Sequence, residues 1–153
     1  MIRVQAEAFD AGAELSRVAS AAGGAGGIVS FTGIVRAGEG EVDALELDHY
    51  PEFTERAIEA IAADARDRFA LTALTMIHRY GRLAAGEPIV FVAAAAHHRR
   101  AAFDAVDYLM DRLKTEAPFW KREHGSHGAR WIEARDADHE DRARWREGAA
   151  CRA

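Results

Sequence analysis

Two stretches of helical periodicity, one opened by a proline and the other closed by one, stand among short β-rich runs. That alternation restricts the chain to a mixed helix-and-sheet fold. Pro51 opens the first stretch, where Ile58, Ile61, Ala65 and Phe69 share one face while Glu59, Asp64, Arg66 and Asp67 lie elsewhere. The second runs from about Arg99 to Glu116, with Phe103, Val106, Met110 and Leu113 as its expected core stripe, and Pro118 stops it. Asp10 reads as the N-cap of a shorter helix reaching about Ser20, ended by the glycines of residues 23–27.

The β-rich runs fall between these helices. Ile2 to Gln5, Ile28 to Arg36, the alternating Leu45 and Leu47, Leu74 to Tyr80, Ile89 to Ala95 and Trp131 to Ala134 are the expected strands. Residues 37–41 read as a turn and 81–88 as a loop, and from Asp136 a short helix is expected before the end. The expected fold class is α+β: a mainly antiparallel sheet with both long helices packed on one face. No repeat or linker divides the chain, so residues 1–147 are expected to form one domain and 148–153 a frayed tail.

A length of 153 residues with 49% hydrophobic and 29% charged residues supports one core and rules out a disordered or fibrous chain. The net charge of -5 offers no electrostatic reason to bind nucleic acid, so an anionic ligand would have to be held by a local cluster of cations. The apolar run from Ile89 to Ala96 is too short to span a bilayer, and the N-terminus has no secretory pattern, so a cytoplasmic protein is expected. Cys151 is the one cysteine and lies within the last three residues, a poor position for a nucleophile.

The chemistry points to amines. Among 20 Lys plus Arg, only Lys114 and Lys121 are lysines. A chain that uses arginine wherever a cation serves keeps lysine where a proton must come and go, because a guanidinium stays charged. A small sample falling this way by chance is the competing explanation. Burial or neighbouring cations would lower a lysine's pKa into a useful range. Arg36, His98, Arg99, Arg122 and Arg135 are the cations available to converge on such a site, and Pro118-Phe119-Trp120 offers a rigid apolar wall.

His97-His98-Arg99-Arg100 falls where a strand gives way to a helix, a place suited to anions; adjacent histidines there point in different directions and make a poor metal pair. The Gly23–Gly27 run precedes a strand and lacks a following Lys-Ser or Lys-Thr, so it reads as a connector and not a phosphate loop. His78-Arg79-Tyr80-Gly81 is either functional or a strand-ending turn, and the Trp and Phe residues read as core. No metal site and no cofactor are expected.

With these residues in place, the chain resembles the MoaE family, the catalytic large subunit of molybdopterin synthase. The resemblance is carried by Phe31-Thr32-Gly33 with Val35-Arg36, His49-Tyr50-Pro51, Ile77-His78-Arg79 and Gly81. It continues through Gly86-Glu87, Ile89 to Val92, His98-Arg99 and Ala102-Phe103. Its most specific block is Lys114-Thr115 with Ala117-Pro118-Phe119-Trp120-Lys121-Arg122-Glu123, and Trp131 with Glu133-Ala134-Arg135 completes the series. The motifs run in order over residues 28–145.

The resemblance implies an α/β-hammerhead fold and a sulfurtransferase of molybdenum cofactor biosynthesis. Sulfur would pass from the thiocarboxylated C-terminus of a small ubiquitin-like subunit to precursor Z, a cyclic pyranopterin monophosphate, forming a dithiolene. It implies a homodimer of large subunits within a heterotetramer, with neither nucleic acid nor membrane as a partner. By the same carry-over Lys121 is catalytic, with Lys114 beside it in catalysis or anchoring. Arg36, His98, Arg99, Arg122, Glu123 and Arg135 are implied for the substrate pocket, with His98 and Arg99 in either the same or the partner's pocket. Val35 and Ile34 belong to the same motif; the family often has Lys at position 34, so only backbone or packing roles carry over there. A sulfur enzyme without a usable cysteine is intelligible if its partner carries the sulfur. The alternative is a non-catalytic subunit that binds the ubiquitin-like partner or a pterin phosphate; it would need cations but not specifically lysines.

Overall fold

The computed structural model describes residues 1–37, 42–133 and 136–145; Arg135, Cys151 and the expected tail lie outside the described residues. The chain folds as β1 (Ile2–Gln5), α1 (Ala11–Ala21), β2 (Gly27–Ile34), β3 (Val42–His49), α2 (Pro51–Phe69) and β4 (Ala73–Arg79). It continues as β5 (Gly81–Ala84), β6 (Pro88–Ala96), α3 (Arg99–Glu116), β7 (Phe119–Gly125), β8 (Gly128–Ile132) and α4 (Asp136–Ala143). The architecture is α+β. Two four-stranded sheets form, ordered β1-β4-β6-β2 and β5-β3-β7-β8, antiparallel throughout except for the parallel β1–β4 pair.

Local chemistry accounts for the helix boundaries. The Asp10 carboxylate accepts from the backbone N–H of Ala13 at 2.9 Å, which satisfies one of the free donors at the start of α1. Pro51 sits in the first turn of α2, where a missing N–H costs nothing, and Ala70 closes that helix in the left-handed region at φ 48°. Arg99 begins α3 directly after the extended His98.

Strand alternation divides the first sheet between two apolar layers. Leu74, Met76, Val90, Val92 and Ala94 face Ile58, Ile61, Ala65 and Phe69 of α2 and Ala105, Val106, Leu109 and Leu113 of α3. Ile77, Phe91, Ala93 and Ala95 form the opposite layer with Val18 of α1. The two long helices do share a face, as expected, but α1 covers the other face, so the helices are not confined to one side. Each fully buried Ile or Leu side chain contributes about 1.5–3 kcal/mol in these layers.

Further expectations are corrected. The expected loop over 81–88 contains β5, and two strands not expected from the sequence, β7 and the first part of β8, follow Pro118. The last strand of the chain is Gly128–Ile132, earlier than expected, and eight strands form in all among the described residues. These pieces are short and polar because they pair with each other at the side of the main core, where no continuous apolar run is required. Phe103 does not join the core stripe of α3 but is 55% exposed, and Phe31, Phe53, Trp120 and Trp131 are likewise exposed. The stripe instead runs through Ala102, Ala105, Val106, Leu109 and Leu113.

The glycine connector has a steric reason. A Cβ on Gly26 would lie 2.2 Å from the carbonyl oxygen of His97, so the entrance to β2 presses directly on the start of α3. Gly26→Ala is expected to lower stability by about 1–3 kcal/mol, because backbone must shift to admit the methyl group. Urea unfolding checks this; an unchanged midpoint would show that the connector yields freely.

Candidate active site

The second sheet places Lys121. On β7, alternation puts Phe119, Lys121 and Glu123 on one face and Trp120, Arg122 and His124 on the other. Lys121 stands opposite Leu47 of β3 and Ile132 of β8. Leu47 is fully buried and forms a small apolar cluster with Val35 and Leu83, against which Phe119 packs. Lys121 thus leaves the sheet at the seam between the two sheets. Burial is the main cause that pushes its pKa below the usual 10.5; the charge of Lys114 lowers it further, and Asp138 opposes both.

Lys114 comes from the last turn of α3, and its Nζ donates to Oδ1 of the buried Asp138 at 3.1 Å. Lys114 and Asp138 both act on the charge of Lys121, so the two lysines and this carboxylate lie near one another. The link between them is braced by Thr54 of α2, which is fully buried and whose hydroxyl donates to the carbonyl of Pro118 at 3.2 Å.

Asp138 is a residue that sequence reasoning missed. It lies in an acidic run that reads as a solvated helix, and nothing in its spacing indicates burial. Ionic contacts bring α4 down on α3. Oδ2 of Asp111 accepts from Nη2 of Arg144 at 2.7 Å and from Nε1 of Trp145 at 2.6 Å, and Oε1 of Glu116 accepts from Nε of Arg142 at 2.6 Å. Removing the Asp138 charge takes away the one named influence that raises the Lys121 pKa. Asp138→Asn is expected to lower that pKa further, measurable by NMR titration of protein with labelled lysine side chains. With two lysines in the chain, assignment requires two signals. An unmoved Lys121 titration would show that Asp138 does not act on it.

A second feature, which the sequence left open, is the pair His78 and His49. His78, at the end of β4, stacks on Phe119 with ring centroids 4.0 Å apart and planes at 18°. Its Nδ1 lies 2.9 Å from the carbonyl oxygen of Arg79, so the proton resides on Nδ1 and the carbonyl accepts it. Burial lowers its pKa to about 4, opposed by that hydrogen bond and reinforced by the charges of Lys121 and His49. The ring is uncharged at neutral pH. His49 approaches Tyr80 at 4.4 Å and Phe119 at 6.1 Å. The sequence signal was the His78-Arg79-Tyr80-Gly81 motif, whose alternative as a plain turn could be removed only by seeing what the ring touches.

The other expected residues are distributed unevenly. Val35 is buried in the Leu47 cluster, and exposed Ile34 and Arg36 flank it at the end of β2. Arg122 lies on the face of β7 opposite Lys121, 4.2 Å from the Trp131 ring centroid and 3.7 Å from Glu46. Glu46 in turn meets His124 Nε2 at 2.6 Å, a contact that holds its carboxyl below the usual range. Glu123 accepts from Nε and Nη2 of Arg130 at 3.0 and 2.9 Å. His98 and Arg99 open α3 while Lys114 ends it, so Arg99 and Lys114 are about 22 Å apart along the axis given the rise per residue of a helix. One copy of the chain does not bring them together. Arg135 lies outside the described residues.

Among the described residues no group of three or more His, Cys, Asp and Glu side chains is placed to hold a metal ion, and no helix is long and apolar enough to cross a membrane. Fold and site together define an α+β protein with a partly buried amine at the junction of two sheets, a second amine near it and a carboxylate set against both.

The chain belongs to the MoaE family: the family model described as MoaE protein matches residues 4–116. It is 52% identical over 144 residues to the molybdopterin synthase catalytic subunit of Cereibacter sphaeroides, covering 94% of this chain and 99% of that one. It is 50% identical over 148 residues to the protein of the same description from Pseudomonas aeruginosa, covering 95% and 99%. Among solved structures, the molybdopterin biosynthesis MoaE protein from Burkholderia ambifaria superposes with a TM-score of 0.81 at 43% identity, over 95% of this chain and 97% of that one.

Proposed function

We propose that the protein is the catalytic subunit of a molybdopterin synthase and acts as a sulfurtransferase. It moves sulfur from the thiocarboxylated C-terminus of a small ubiquitin-like subunit to precursor Z, building the dithiolene of molybdopterin. The observation that carries this reading is the placement of Lys121: one of two lysines in an arginine-dominated chain, partly buried at the sheet seam, with its pKa depressed and the other lysine close enough to act on it. A family membership shared with relatives described as catalytic subunits supports the same reaction.

In this reading Lys121 exchanges the proton at the carbon that accepts sulfur, a role that a pKa lowered from the ordinary amine value favours. Lys114 stands beside it as an anchor for the anionic substrate or tail. Arg36 is assigned to the anionic substrate by its place in the family motif, with Val35 fixing its backbone and only a backbone or packing role left to Ile34. Glu123 and Arg122 hold β7 through their cross-strand contacts, with Arg122 acting from the outer face. His98, Arg99 and Arg135 supply further cations for the pterin phosphate and the tail carboxylate, bound as charge-assisted hydrogen bonds. Because Arg99 lies a helix length from Lys114, its natural place is the pocket of the other copy in a dimer of large subunits. That dimer, flanked by small subunits, is the proposed working assembly, in the cytoplasm.

The reading is tested by reconstitution: purified protein, precursor Z and a thiocarboxylated small subunit, scored for dithiolene-bearing product. Product that depends on this chain is the expected result. Complex formation without product would transfer the chain to the binding-subunit alternative.

A further inference from the structure

We propose that His78 is the positioning residue of Lys121: its ring, stacked on Phe119, locks the start of β7 to the first sheet and so holds the lysine in its partly buried place at the seam. The proposal rests on the assignment of Lys121 as the working amine and adds a residue for which the reaction itself has no use.

His78 belongs to β4 of the first sheet, and Phe119 opens β7 of the second. A parallel stack at 4.0 Å and 18° therefore joins the two sheets ring to ring. Phe119 precedes Lys121 by two residues on the same face of the strand, so a displacement of the phenyl ring is passed directly to the lysine backbone. The imidazole is itself fixed, because Nδ1 donates to the Arg79 carbonyl at 2.9 Å. His49, the register partner of Phe119 on β3, lies 6.1 Å from it and contacts Tyr80 at 4.4 Å. Three strands that do not all belong to one sheet meet at this cluster, and Lys121 is the titratable side chain it leaves at the seam.

A histidine suits this place because it combines a flat face for stacking with a ring N–H that pins its orientation. With a pKa of about 4 it brings no charge to the lysine at neutral pH. The groups facing it are Lys121 and His49, both of which disfavour its protonation. His78→Phe therefore preserves the stacking face and the absence of charge while removing the hydrogen bond; His78→Ala removes both.

The test uses the full chain with isotope-labelled lysine side chains, of which there are two. In His78→Ala the Lys121 resonance is expected to shift and its pKa to rise toward 10.5 as water reaches the amine, with the Lys114 resonance unmoved. In His78→Phe the Lys121 titration should stay close to that of the parent protein. In the reconstituted reaction His78→Ala should lower kcat by about tenfold with KM for precursor Z little changed, and His78→Phe should recover most of it. A Lys121 titration in His78→Ala that superposes on the parent overturns the proposal. If His78→Ala does not fold, His78→Phe decides alone: a Lys121 pKa moved toward the ordinary value overturns it. The lysine titration does not depend on turnover, so a failure of the catalytic reading, seen as full activity of Lys121→Arg, is distinguishable from a failure of this one.

Discussion

Lys121→Ala is expected to reduce dithiolene formation by about 10²–10⁴-fold, the range for loss of a proton-transfer group. The fold should survive, because the lysine contributes no core contact that its neighbours Leu47 and Ile132 cannot maintain across the strands. Lys121→Arg is the sharper variant. It keeps the positive charge and the length of the side chain, yet a guanidinium cannot release its proton under working conditions. A loss of similar size in both variants assigns the effect to amine chemistry. Activity near that of the parent in Lys121→Arg would reduce the residue to a fixed cation. The pH–rate profile adds a directional check. Burial and Lys114 place the Lys121 pKa below 10.5, so the profile should carry a limb below that value. In Asp138→Asn the limb should move to still lower pH, because the carboxylate that raised the pKa is gone.

Mixing two inactive variants is expected to restore activity. Arg99→Ala and Lys121→Ala each remove a part of the pocket, and the two positions lie at opposite ends of the fold in one copy. If each pocket combines Lys121 of one chain with Arg99 of the other, a mixed dimer contains one pocket bearing both lesions and one that is intact. Random exchange of equal amounts makes half the dimers mixed, so activity should recover to about a quarter of the parent level for a two-fold symmetric assembly. Activity that stays at the level of the separate variants, with exchange confirmed by mass, would place Arg99 and Lys121 in independent roles.

Much of the architecture could be read from the chain because its signals are local. Helical spacing of Ile58, Ile61, Ala65 and Phe69, the proline at residue 51 and the Asp10 cap each act within a few residues, and α1, α2 and α3 begin and end close to where those residues indicate. The lysine pair stood out for a compositional reason: 18 of 20 basic residues are arginine, so two lysines draw attention to positions where a removable proton would be of use. What the sequence could not supply was contact at long range. β5 and β7 carry no strong apolar alternation, since their partners are other short strands and not the main core. Phe103 follows the helical stripe and yet faces outward, because smaller alanines are what the tightly packed α3 face admits against the sheet. Arg122 adjoins Lys121 in the chain and points to the opposite face of β7, a consequence of strand alternation that requires knowing β7 is a strand. Asp138 and His78 reach the site only through the docking of α4 and the meeting of two sheets. The sequence by itself determined the local elements and the kind of chemistry, which depend on neighbours a few residues away and on side-chain identity. Only the tertiary structure decided which groups surround the amine, because burial and charge proximity arise where segments distant in the chain come together.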